Sequence, residues 1–168
     1  MRKNPILLLP SLLLLTFCSK VNDQELFDKA KKELEEQKYV EAVALFDSLV
    51  TAVSSSEFAP QALFESAKIY HSEKIPNLSK EESMNKAVEY YKKLYEGYPD
   101  YKESASAMMM TGFILANELN RPEEAKVVYE EFLKKYPNSE LVNSVKLELE
   151  SLGLSPDEIL NRLAKGNK

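Results

Sequence analysis

The chain has 168 residues, with 22 basic against 27 acidic side chains, a net charge of -5, four Gly, one Cys and one His. That length suits one domain with its own core and a targeting segment in front of it, and an acidic chain without a long basic run is a poor fit to nucleic acid, whose phosphates are held by clustered Lys and Arg. A single Cys and a single His exclude a structural zinc site, a disulfide framework and a Cys/His dyad with a spare orienting His, so no metal and no cofactor is expected.

The N-terminus comes first. Arg2 and Lys3 precede an apolar stretch over 6–17. Twelve residues fall short of the roughly 20 that cross a bilayer core, so residues 1–17 read as a signal peptide. Leu15-Thr16-Phe17-Cys18 resembles the lipobox of bacterial lipoproteins, with Phe17 standing where that motif usually has a small residue. The resemblance implies a lipidated Cys18 and a short tether over 18–24. The other reading is an uncleaved signal anchor with a passive Cys. Both place the rest of the chain outside the cytoplasm and attached to a membrane. Ser19 after the Cys resembles the outer-membrane sorting pattern, which implies an envelope protein on the outer membrane, facing the periplasm.

From Gln24 onward apolar residues recur at three- and four-residue spacing and almost never alternate, which predicts helices throughout. Leu26, Phe27, Ala30 and Leu34 mark the first, ending near Gln37. Val40, Val43, Phe46, Val50 and Val53 mark the second, broken by Ser54-Ser55-Ser56. The third covers 59–73 with Pro60 in its first turn, where a missing N–H costs nothing. After a loop over 74–80, the fourth covers 81–95 and stops at Gly97 and Pro99. The fifth covers 102–119, the sixth 122–135 and the seventh 139–152, with Gly153 as C-cap. Ser155-Pro156-Asp157-Glu158 then has the form of a capping box for a short last helix over 155–164.

Three segments repeat one pattern. Ala42, Ala87 and Ala125 are each followed four residues on by an aromatic, Phe46, Tyr91 or Tyr129, and the last two units end in Tyr98-Pro99-Asp100 and Tyr136-Pro137-Asn138. Small residues stand in both helices of each unit: Ala30 and Ala42, Ala67 and Ala87, Gly112 and Ala125. Over 25–153 this resembles the tetratricopeptide repeat (TPR), a unit of two antiparallel helices. Ser54 stands where the first unit would have its terminal Pro. The resemblance implies an all-α, right-handed TPR-like solenoid of about three antiparallel helix pairs, with residues 154–168 as a C-terminal capping helix and tail. The Tyr-Pro endings resemble the envelope branch that includes the outer-membrane-protein assembly lipoprotein BamD and the periplasmic partner of the Tol-Pal system. That branch implies a non-catalytic, membrane-anchored scaffold for protein or peptide partners, an accessory of outer-membrane assembly or envelope maintenance. A periplasmic chaperone-like client binder is the alternative, and an envelope hydrolase a distant third.

Little in the chain suggests chemistry. His71 has no assignable nucleophile or orienting carboxylate, and the acidic pairs Glu35-Glu36 and Glu130-Glu131 lie at ion-pair spacing from lysines. No glycine-rich phosphate loop, nucleophile elbow or metal motif is present. Met108-Met109-Met110 cannot all face one side of a helix; Met108 takes a core position. In the TPR family the first helices line a concave groove. Carried onto this chain, the outward positions are Phe64, Glu65, Lys68 and His71 on the third helix and Met109, Met110, Phe113 and Asn117 on the fifth. Apolar anchors within a polar rim are the composition of a partner-binding hot spot, with Phe64 and Phe113 expected to stand clear as its anchors.

Overall fold

The computed structural model describes residues 22–154 together with 157–158. The signal peptide over 1–17, Cys18 and the tether as far as Val21 lie outside the described residues, as does the last helix over 155–164 apart from Asp157 and Glu158. Seven α-helices follow one another, with no strand among the described residues: α1 Asp23–Glu35, α2 Tyr39–Ala52, α3 Ala59–His71, α4 Lys80–Gly97, α5 Ser104–Phe113, α6 Pro122–Lys135 and α7 Val142–Ser151. None of these helices is long and apolar enough to cross a membrane.

Local chemistry sets the boundaries. Asn22 caps α1, its side chain accepting from the Glu25 N–H at 3.2 Å. Ser79 opens α4 with a reciprocal capping box, accepting from the Glu82 N–H while the Glu82 carboxylate accepts from Ser79. The turns inside the helix pairs carry residues in the left-handed region: Gln37 (φ 59°) in the first, Glu73 (φ 52°) and Asn77 (φ 64°) in the second, and Asn120 (φ 52°) in the third. This reversal ends α3 at His71 rather than at residue 73, because Glu73 itself turns the chain. The helix expected over 139–152 starts only at Val142. Residues 139–141 form a turn in which the Leu141 N–H donates to the Ser139 hydroxyl at 3.2 Å.

Packing follows the small residues. Ala30, Ala42, Ala67, Ala87 and Ala125 are fully buried, and the aromatics Phe46, Tyr91 and Tyr129 lie under the adjoining helices. Gly112 shows why smallness matters there. A Cβ at this position would overlap the Tyr129 ring, with Cδ1 and Cζ both 2.7 Å away. Two buried clusters result. One, around Phe27, Phe46 and Leu49, belongs to α1–α3; the other, around Tyr91, Met108, Tyr129 and Phe132, belongs to α3–α7. Val50, Tyr70 and Tyr98 pack against both and join them into one stack. The result is an all-α TPR-like solenoid of helix pairs α1/α2, α3/α4 and α5/α6, with α7 packed on the last.

The long fifth helix is not uniform. After Phe113 the chain passes into a π-helical turn over Ile114–Glu118, in which the Leu119 N–H reaches the Ile114 carbonyl at 3.0 Å, five residues back. Such turns insert one residue into an α-helix and rotate everything beyond it.

Candidate interaction face

The groove residues read from the sequence lie on α3, α5 and the π turn. On α3, Glu65 sits between two cations. Lys68 on its own helix approaches to 2.9 Å and Lys31 of α1 to 3.9 Å. Its side chain is only 12% exposed, so this carboxylate ties the first two repeats together as well as facing the groove. Lys68 also lies over the Phe64 ring, 5.6 Å from its centroid. Tyr101, just before α5, completes this end. Burial and the nearby carboxylates of Glu103 and Glu65 push its phenol up to about 12.

Phe64 is half-buried rather than standing clear, because its ring tilts against Tyr91 of α4 with centroids 5.9 Å apart. Met109 and Met110 are half-buried too, and both pack against the larger core cluster, while Met108 is fully buried. Phe113 differs. It is half-buried but packs against neither cluster of buried residues.

His71, at the end of α3, meets the edge of the Tyr91 ring at 6.4 Å. Burial lowers its basicity, partly offset by the carboxylates of Glu118 and Glu73. Glu118 pairs with Lys80 at 2.7 Å, raising the Lys80 ammonium pKa, so α3, α4 and the π turn converge on this corner.

Asn117 does not join these residues. In a regular helix it would follow Phe113 by one turn on the same face. The π turn moves that place to Glu118, one residue later, and swings Asn117 toward α7. There it lines a cleft of about 420 Å³ with Asn120, Glu148 and Ser151, while its side-chain amide donates to the Phe113 carbonyl at 3.2 Å. Sequence reasoning missed Glu118 for the same reason, since a one-residue insertion in a helix leaves no mark in apolar spacing.

The arrangement offers charge pairs, partly buried rings and thioethers. Among the described residues no group of three His, Cys, Asp or Glu side chains could hold a metal. Residues 106–139, which span most of α5, the π turn, α6 and the turn after it, match a tetratricopeptide repeat model. No curated protein matches the chain.

Proposed function

We propose that this tetratricopeptide-repeat chain is a non-catalytic scaffold of a bacterial envelope, held to a membrane through Cys18 and facing the periplasm from the outer membrane. Repeats of this kind present one face of their first helices to protein partners, and the observation that carries the reading is Phe113. A large ring that is only partly buried, outside both core clusters and flanked by Met109 and Met110, suits an adaptable partner surface better than a solvated one. The Lys68–Glu65–Lys31 array supplies its polar rim. Since α1 begins at Asp23, residues 18–22 can span about 18 Å at most. The repeats then work against their own membrane, on partners in it or close to it, as an accessory of assembly or maintenance.

The test pairs stability with capture. A photo-crosslinker at position 113 in the native membrane should trap one defined protein, and Phe113→Ala should lose that partner at an unchanged melting temperature. Phe64→Ala should lose both, because Phe64 also packs on Tyr91. If Phe113→Ala melts earlier in proportion to its lost capture, Phe113 is core and the reading fails. A Cys18→Ser chain that stays membrane-bound, without a lipid label and with unchanged mobility, would overturn the anchor.

A further inference from the structure

The outer side of the stack, formed by α2, α4 and α6, contains two furrows built to one plan. The first lies between α2 and α4 over α3, and the chain fills it. Tyr90 lies in it, stacked on Tyr70 with centroids 5.3 Å apart, and its hydroxyl donates to both Asp47 carboxylate oxygens at 2.7 and 2.9 Å. The second lies between α4 and α6 over α5. Position by position, Val128 follows Ala125 as Tyr90 follows Ala87, Lys92 follows Ala87 as Asp47 follows Ala42, and Leu115 follows Gly112 as Tyr70 follows Ala67.

The second furrow therefore has a valine at the position of Tyr90 and a cation at the position of Asp47. What remains is a cleft of about 290 Å³ floored by Thr111 and Leu115 and walled by Val88 and Val128, with Tyr95 and Glu124 also lining it and Val127 63% exposed on its rim. Its two cations are loosely paired: Lys92 with Glu96 at 3.7 Å, and Arg121 with Glu81 at 3.8 Å and Glu124 at 3.9 Å, all across exposed or half-exposed side chains. Pairs of that length and exposure hold their charges weakly.

We propose that this second furrow is a docking site for a partner segment that carries an aromatic side chain beside a carboxylate. The ring takes the place that Tyr90 occupies in the first furrow, between the valines and over Leu115. The carboxylate supplies what Asp47 supplies there, now to Lys92 and Arg121. The chain thus shows in one furrow the chemistry that the other requires. The site lies on the face opposite Phe113, so it stands or falls independently of the first-helix face.

The probe is acetyl-Asp-Tyr-Asp-amide, titrated into the ¹⁵N-labelled full-length chain in a mild non-ionic detergent and followed by amide shifts. Saturable shifts confined to Val88, Lys92, Leu115, Val127 and Val128 are expected. They should vanish when the probe's Tyr is Ala, and weaken roughly fivefold when its Asp residues are Lys. Lys92→Glu, a change at an exposed position, should reverse that charge preference. Val128→Tyr with Lys92→Asp rebuilds the first furrow's pair, and should abolish the shifts while holding or raising the melting temperature. Equal shifts from the Ala or Lys probe, shifts centred elsewhere, no charge reversal in Lys92→Glu, or binding that survives in a folded Val128→Tyr/Lys92→Asp chain would each overturn the proposal. Should the double variant not fold, Lys92→Glu decides alone.

Discussion

The Tyr98 hydroxyl donates to the Ser54 carbonyl at 2.7 Å, 44 residues earlier in the chain. Tyr136 repeats the act one unit later, donating to the Pro99 carbonyl at 3.1 Å. Each Tyr-Pro ending thereby clips its own helix pair to the loop that closed the previous one, and Ser54 serves where Pro99 serves next. The bond needs only a backbone carbonyl, so the departure from Pro at position 54 leaves it intact.

Removing either hydroxyl should therefore loosen one junction only. Tyr98→Phe and Tyr136→Phe should each cost about 0.5–1 kcal/mol, because both bonds are exposed to solvent. The double variant should be additive to within a few tenths, as the bonds close different loops. Urea unfolding of the three variants measures this, and a strongly non-additive pair would mean the two clips act as one unit.

Gly112→Ala should cost on the order of 2 kcal/mol, because the added methyl meets the Tyr129 ring, which is fully buried and has nowhere to swing. Gly97→Ala is the control. Nothing lies within 4 Å of a Cβ there, so its thermal midpoint should stay close to that of the parent.

Three of the four left-handed turn residues, Gln37, Glu73 and Asn120, should respond differently to glycine. Gln37→Gly and Glu73→Gly should each stabilise by on the order of 0.5 kcal/mol, the relief of a Cβ clash set against the added freedom of the unfolded chain. Asn120→Gly should be nearly neutral, since Asn tolerates this region unaided. A gain at Asn120 as large as at Glu73 would contradict this account.

Acidification should destabilise the fold through His71. Burial holds its folded-state pKa below the unfolded value near 6.5. The neutral ring's contribution is therefore complete above that value, and it is lost as pH falls below it, where the unfolded chain binds the additional proton. Chemical unfolding between about pH 7 and pH 5 should show this slope in the parent and a shallower one in His71→Gln. An equal slope in both would assign the dependence to other groups.

What could be read from the chain and what could not divide along physical lines. Ala42, Ala87, Ala125 and Gly112 were legible as packing positions because close helix contact admits only small residues, and their spacing repeats. Met108 was legible as core by its register with Thr111 and Leu115. The exposure of Phe64 was not, because its partner, Tyr91, belongs to the next helix and comes into reach only through the pair's closure. Nor was the exchange of Asn117 for Glu118, since the π turn adds a residue without disturbing the apolar pattern on either side. The tyrosine clips were hidden as well. Their acceptors are backbone carbonyls, which any residue can offer.

That π turn also makes the fifth helix two levers on one shaft. Side chains before Ile114 keep the register of the first-helix face, and those after it are geared to Lys80 on one flank and to the α7 cleft on the other. Met110 and Asn117, seven residues apart, would share one face, two turns apart, on an uninterrupted helix. Here a change at one should pass unnoticed at the other, so the two surfaces are free to drift in sequence without having to agree.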